Sequence, residues 1–437
     1  MLKEIKLTNW KSFGETSLFI DPLTVVIGLN ASGKSNALDA LEFLRRTALG
    51  LDFSAALGGD IRFPPLRGGV EWATRIGQEA FTLECLIGDS DIKADYRYSI
   101  TIEMTGLRPE LSTEVLTAQF QDPTNDDYPS LVLFRTADFG SNKSSLALIH
   151  TVVDEEHAET NEDFMEEPDL SGFAIQSVRR SSSLLSQLAL GNTGSKSAAK
   201  GIQSVFDTLR NIFILDPSPS RMRSYVPLSD TLLSDGSNTA GVLAALDSRE
   251  RSQVEKSFKE YLSRFAERDI LKVWAEAIGK FKQDAMLYCR EQWVPDQQPT
   301  EVDARGMSDG TLRFVAILTA LMTRPRGSLL VIEEVDNGLH PSRARLLLEM
   351  LKRVATDRGI DVLVTTHNVA LLDTLGPDLL PFVQAAHRDP KTGGTLLTPI
   401  QDLSNLPKLL AVAPLGRLAS QGLLEQSLSR DAEEPTS

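Results

Sequence analysis

The sequence predicts an α/β fold with a mixed, largely parallel sheet and a nucleotide cradle, and three stretches carry that prediction. Val25-Val26-Ile27 runs directly into Gly28-Leu29-Asn30-Ala31-Ser32-Gly33-Lys34-Ser35, a G-x-x-x-x-G-K-S pattern lying between an apolar strand and a helix. Ser328-Leu329-Leu330-Val331-Ile332 is a continuous apolar strand that ends in two adjacent acids, Glu333 and Glu334. Ile360 to Thr366 is a second such strand and ends in His367-Asn368. Runs of this kind suit strands covered on both faces, as in a parallel sheet.

The first stretch has the chemistry of a phosphate site. Gly28 and Gly33 let the backbone wrap an anion without Cβ clashes, and the helix opened by Lys34 offers its first amides and its dipole to negative charge. Lys34 is expected to reach the β- and γ-phosphates of ATP and Ser35 to offer its hydroxyl to Mg²⁺, with Asn30, Ala31, Ser32 and Asn36 completing the cradle. At the end of a parallel strand, Glu333 can hold Mg²⁺ through water while Glu334 polarises the attacking water. His367, at the next strand end, can hydrogen-bond the γ-phosphate.

A second glycine-rich helix start, Gly306-Met307-Ser308-Asp309-Gly310-Thr311-Leu312, has Ser308 as its N-cap. One cradled nucleotide has no need of it. Ser308, Asp309 and Gly310 make sense as a clamp on the γ-phosphate held by a partner subunit. The similar Ser234-Asp235-Gly236-Ser237-Asn238 reads as a helix-start turn.

Along the rest of the chain, Leu2 to Asn9 and Ser17 to Ile20 read as strands beside the cradle. The helix after Ser35 carries Leu38, Leu41 and Leu44 and closes near Arg45-Arg46 and Gly50. A Gly/Pro-rich loop, Gly58 to Gly69, then holds Arg62 and Arg67, and Arg67 can reach a phosphate. From about 80 to 150 the pattern is an antiparallel β subdomain. Asp154 to Asp169 is an acidic loop, and Gly191 to Lys200 reads as another loop. Between Gly241 and Gln292 an inserted helical pair is expected, with Val254, Phe258, Leu262 and Phe265 on the first helix and Ile270, Trp274, Ile278 and Phe281 on the second.

Composition bounds the class. With 437 residues, 41% of them hydrophobic, the chain has room for two or three domains or one large split domain. A formal charge of −15 argues against a uniformly basic nucleic-acid-coating surface. Cys85 and Cys289 have neither disulfide-scaffold nor zinc spacing. No signal-peptide pattern or membrane-length apolar run is visible, so a cytoplasmic protein with no membrane partner is expected.

Taken together, Gly28 to Ser35, Met307 to Leu312, Leu330 to Glu334, Asp336-Asn337-Gly338-Leu339-His340-Pro341 and Thr366-His367 resemble the ABC-type ATPases of the SMC, RecF and OLD-like group. The narrower resemblance is to compact AAA-family ATP-binding proteins of bacterial defence loci. Asn9-Trp10-Lys11-Ser12-Phe13 is similar to that group's N-terminal strand, whose loop lies near the adenine, which implies a nucleotide contact for Lys11. Leu66-Arg67-Gly68-Gly69 resembles the group as well, and Gln187 is the candidate for its metal-ligand glutamine. Only 70 residues follow His367, too few for the TOPRIM nuclease domain of OLD-type relatives.

The resemblance implies a P-loop NTPase of the ABC-ATPase head type. Residues 1–235 would form an N-terminal lobe, 236–295 a helical insertion, 296–400 a C-terminal lobe and 401–437 a helix with an acidic tail. It also implies ATP hydrolysis with Mg²⁺ in a head-to-tail homodimer, coupled to a separately encoded effector protein or to DNA, in anti-phage defence. A RecF-like DNA-repair ATPase and a non-hydrolysing ATP-bound scaffold are the alternatives.

Overall fold

The computed structural model describes residues 1–89, 94–120, 130–137, 145–150, 173–190, 196–265, 269–292, 298–337, 344–373, 375, 376 and 378–433. The acidic run 154–169, residues 191–195, the 338–341 segment and the last four residues lie outside them. Two compact units emerge, each assembled from separated segments. Met1–Ile20, Ala31–Ile212 and Ala386–Leu397 form the first, and Asp21–Asn30, Phe213–Ala385 and Thr398–Ser437 form the second. These limits differ from the 1–235 and 296–400 lobes expected from chain order, because strand pairing rather than sequence proximity decides which segments share a core. No helix among the described residues is long and apolar enough to cross a membrane.

The first unit is built on an eight-stranded sheet in the order Glu15–Phe19, Leu2–Thr8, Ala80–Asp89, Ala94–Thr105, Arg108–Phe120, Leu131–Ala137, Ser145–His150, Phe173–Val178. Every neighbouring pair is antiparallel. The subdomain expected at 80–150 is therefore larger than predicted and includes the two N-terminal strands. Their apolar residues explain why: Ile5 sits opposite Cys85 and Leu7 opposite Leu83, all buried. Phe81, Leu83, Cys85 and Ile87 alternate inward in the period of two that a half-covered strand requires.

Three helices of this unit, Lys34–Ala48, Leu184–Ala189 and Lys196–Arg210, pack against one another, and the last also lies on the sheet. Gly201 permits that close approach, since a Cβ there would stand 2.4 Å from Leu133 Cδ1. Lys196–Arg210 corrects the loop expected at Gly191 to Lys200: the stretch from Lys196 onward is helical. Its small, polar start resembles a linker in composition, but Ile202, Val205, Phe206 and Leu209 give it one buried stripe.

Within the sheet, Glu114 is fully buried. Its carboxylate accepts hydrogen bonds from the Tyr98 hydroxyl (2.9 Å), the Ser183 hydroxyl (2.8 Å) and the Leu184 and Leu185 amides (2.6 and 2.8 Å). It thereby closes the N-terminus of the Leu184–Ala189 helix from across the sheet. Burial pushes its pKa above the ordinary carboxylate value while these donors pull it back. Glu114→Leu strands two amides and two hydroxyls in a dry core and is expected to cost on the order of 3–5 kcal/mol. Glu114→Gln keeps an acceptor and is expected to cost about half as much. Urea midpoints of the full chain at constant slope provide the measurement.

The second unit contains a buried sheet whose strands follow the order residues 213–215 of Ile212–Leu215, Leu329–Ile332, Asp361–Thr366, Leu23–Ile27 and residues 383–385 of Val383–Arg388. The last four are parallel to their neighbours. Every residue of Leu23–Ile27, Leu329–Ile332 and Asp361–Thr366 is buried, which is why these strands read as unbroken apolar runs. Helices Asp309–Thr323, Ala344–Arg358 and Ser248–Phe265 share the surrounding core.

The inserted helical pair requires correction. Ser248–Phe265 is a helix, but Ile270, Trp274 and Ile278 lie on the strand Asp269–Ile278, and Phe281 sits in the turn before the strand Asp284–Gln292. Val226–Pro227 and Thr300–Asp303 complete this small antiparallel sheet. The misreading has a physical origin: Ile270, Trp274 and Ile278 are spaced by four, an interval that recurs in a strand of period two as well as in a helix of period 3.6. Trp274 then faces Tyr288 across the pair, with ring centroids 5.8 Å apart.

Candidate nucleotide site

The buried strand Leu23–Ile27 delivers the chain into the 28–35 loop. Gly28 has φ 148°, Ala31 φ 64° and Gly33 φ 106°, the positive-φ backbone from which anion-binding turns are built. A Cβ on Gly33 would lie 2.6 Å from the Thr395 side chain, so the position admits only glycine. Helix Lys34–Ala48 follows with no side-chain N-cap and with Lys34 buried at its start. Buried Ser32 Oγ has no hydrogen-bond partner. A buried hydroxyl without a partner, a helix start that no side chain caps, and a backbone held open by glycines together fit a phosphate chain.

Neighbouring residues of the first unit fix the helix start. Lys11, itself at φ 49°, is buried and donates to Asp39 (2.5 Å) and to the Arg67 carbonyl (2.7 Å). Burial lowers its pKa and the Asp39 carboxylate opposes that. Lys11 therefore ties the 58–69 loop to the cradle helix. Half-exposed Arg67 donates to the Ser35 carbonyl at 3.1 Å. Asn36 spends its side-chain amide on Ser12 Oγ (2.8 Å), and its carbonyl accepts from the Trp10 indole (2.8 Å). Two contributors were missed in the sequence. Thr395 donates to Ser12 Oγ at 2.9 Å, and Arg388 donates to the Ala31 carbonyl at 3.3 Å. Both stand more than 350 positions downstream of the loop, beyond the reach of any local pattern.

Gln187 braces its own loop: its Nε2 donates to the Arg179, Ser182 and Ser183 carbonyls and its Oε1 accepts from the Arg179 amide at 3.0 Å.

In the second unit the strand registers bring three motifs to one edge. Ile332 lies opposite Val364, and Thr366 opposite Ile27. Gly28-Leu29-Asn30, Glu333-Glu334 and His367 therefore leave the carboxyl ends of adjacent parallel strands, the edge where open α/β sheets bind ligands. Glu334 has left-handed backbone (φ 47°) and a partly exposed side chain. One carboxylate oxygen lies 3.5 Å from His367 Nδ1 and the other accepts from Asn337 Nδ2 at 3.3 Å.

The glycine-rich helix start at 306–312 has the expected cap: Ser308 Oγ accepts from the Thr311 amide at 3.1 Å. In the earlier copy Asn238 stands at the N-cap position of helix Thr239–Ala245 without a side-chain cap bond, its Oδ1 accepting from the upstream Leu233 amide at 2.9 Å, and that stretch is a helix-start turn as expected. Sequence reading missed Arg223. Its guanidinium donates to the Ala304, Arg305 and Met307 carbonyls (2.9, 3.1 and 2.8 Å) and pairs with Asp309 at 2.5 Å, pinning the loop ahead of Ser308. Only a planar fork can reach all four acceptors at once. Arg223→Ala and Arg223→Lys are both expected to lower ATP turnover by about tenfold or more while leaving single-copy ATP affinity within about twofold. Phosphate release and equilibrium binding of a fluorescent ATP analogue check the split.

Residues 23–373 match the family described as "AAA domain, putative AbiEii toxin, Type IV TA system". The chain is 35% identical over 135 residues to a "Chromosome partition protein Smc" of Synechococcus sp., covering 30% of this chain and 10% of that protein. It is 34% identical over 74 residues to a "Methionine import ATP-binding protein MetN" of Corynebacterium jeikeium, covering 17% and 20%. The chain thus spans a small part of the curated relatives it matches. Among solved structures, an Smc head domain from Pyrococcus furiosus, bound to the C-terminal domain of ScpA, aligns over 94% of this chain and 99% of that one, with a TM-score of 0.48 and 10% identity. By the extent of the family match, the chain belongs to this AAA-domain family.

Proposed function

We propose that this protein hydrolyses ATP between two copies of the chain arranged head to tail and passes its nucleotide state to a separately encoded effector protein or to DNA, in defence against phage. The observation that carries the reading is the shared strand edge from which Gly28, Glu333, Glu334 and His367 all depart. In this reading the 28–35 loop and Lys34 hold the phosphates, and Glu334 orients the attacking water and takes its proton. His367 hydrogen-bonds the γ-phosphate and senses its loss. Mg²⁺, when bound by Ser35 and Glu333, supplies charge neutralisation at the transferring phosphoryl group.

Ser308, Asp309 and Gly310 act on the nucleotide of the other copy. Loss of the γ-phosphate removes the contacts that hold the pair together, a population shift that an effector can read. The family's description names a toxin–antitoxin system, which supports a role beside a separately encoded partner.

Ser308→Arg tests the shared site. Light scattering of the wild type with ATP and Mg²⁺ is expected to give a dimer mass. The variant is expected to stay monomeric, bind ATP normally and lose turnover. Turnover by a stable monomer overturns the head-to-tail reading. DNA binding that rises with ATP and falls steeply with salt favours DNA over a protein effector.

A further inference from the structure

Glu334 occupies a backbone conformation that residues with a side chain rarely adopt, at the point where a parallel strand ends in the acid assigned to water activation. Something must hold it there. Thr365, on the adjacent strand and buried, makes two of the holding bonds. Its Oγ1 accepts the Glu334 amide at 3.0 Å, and its carbonyl accepts the Val335 amide at 3.1 Å. Asn337 makes two more from the far side of the turn. Its amide donates to the Glu334 carbonyl at 2.9 Å, and its Nδ2 donates to Glu334 Oε2 at 3.3 Å. One residue therefore fixes the backbone and the other fixes the carboxylate.

The next pair of residues repeats the arrangement. Thr366 Oγ1 donates to buried Asp336 Oδ1 at 2.7 Å and accepts the Asn368 amide at 3.0 Å, joining the segment after Glu334 to the segment that carries His367. The 333–337 turn and the 365–368 segment are thus stitched together on both sides of the Glu334–His367 contact. A strained residue fixed by side-chain bonds from two directions is a preorganised one, held in its working geometry before the substrate arrives.

We propose that Thr365 and Asn337 are positioning residues for Glu334: Thr365 imposes the left-handed turn, and Asn337 aims the carboxylate by occupying one of its oxygens. This rests on the reading of Glu334 as the water-orienting group. A hydroxyl at 365 is then required because an aliphatic residue of the same shape fills the space but offers the Glu334 amide no acceptor.

The test is the kcat and KM for ATP of Thr365→Val, Thr365→Ser and Asn337→Ala beside wild type and Glu334→Gln. Thr365→Val and Asn337→Ala are expected to lose about 10- to 100-fold in kcat, the scale of a displaced reacting group, with KM within about twofold. Thr365→Ser restores the acceptor and is expected to stay within about threefold of wild type. Asn337 is exposed, so its variant reports even if Thr365→Val fails to fold. Normal kcat in both Thr365→Val and Asn337→Ala, with Glu334→Gln inactive, overturns the positioning roles and leaves the catalytic reading intact. So does a loss at Thr365→Val that serine does not rescue. Full turnover by Glu334→Gln defeats the underlying reading first, and the positioning roles fall with it.

Discussion

Glu334→Gln is expected to bind ATP within about threefold of wild type, to lose turnover by roughly 10²- to 10⁴-fold and to accumulate as an ATP-bound dimer. Glutamine has the same shape and can still accept from Asn337 and face His367, so the 333–337 turn has no reason to change. What disappears is the negative charge that draws a proton from the attacking water. Binding belongs to the 28–35 loop and survives. If hydrolysis is what separates the two copies, an enzyme that binds without cleaving stays paired. Light scattering with ATP and Mg²⁺ and phosphate release from the same preparation read both consequences. Undiminished turnover would overturn the catalytic role of Glu334, and a wild type that binds ATP without any turnover would move the non-hydrolysing scaffold reading to the front.

The cradle and the acidic strand end were legible in the sequence because their signals are local and redundant. Leu23–Ile27, Leu329–Ile332 and Asp361–Thr366 are buried on both faces, so each reads as an unbroken apolar run whatever lies around it. Ser308 was legible for the same reason, since an N-cap depends on its own next turn. Failure came where tertiary structure overrides periodicity. The four-residue spacing of Ile270, Trp274 and Ile278 is common to strand and helix, and only the pairing of Asp269–Ile278 with Asp284–Gln292 decides between them.

Within the strand Arg108–Phe120, buried Glu114 interrupts the apolar alternation, and the helix end that justifies a carboxylate there is contributed from about 70 residues away. Arg223 is the same kind of case. An arginine whose fork is filled by carbonyls more than 80 positions downstream looks, in sequence, like any solvated arginine.

Lys34→Ala is expected to weaken ATP binding by on the order of 100-fold or more, the effect of losing a charge-assisted contact worth about 2–3 kcal/mol together with the field it adds to the loop. The residue opens the cradle helix and its side chain is buried, so its ammonium is already drawn out of bulk water before a phosphate arrives. A buried cation gains more from an anion than an exposed one, which has less desolvation to recover. A Lys34→Met variant separates the terms by restoring the apolar stem without the charge. Methionine should bind ATP as poorly as alanine does if charge is what matters, and an intermediate affinity would assign part of the effect to packing. Calorimetric titration with ATP and Mg²⁺ gives the affinities. Because the loss appears in binding and not in the chemical step, this variant and Glu334→Gln fail in opposite ways: one cannot fill the site, and the other fills it and cannot empty it. Normal ATP affinity in Lys34→Ala would falsify the assignment of the 28–35 loop as the phosphate cradle, whatever Glu334 proves to do.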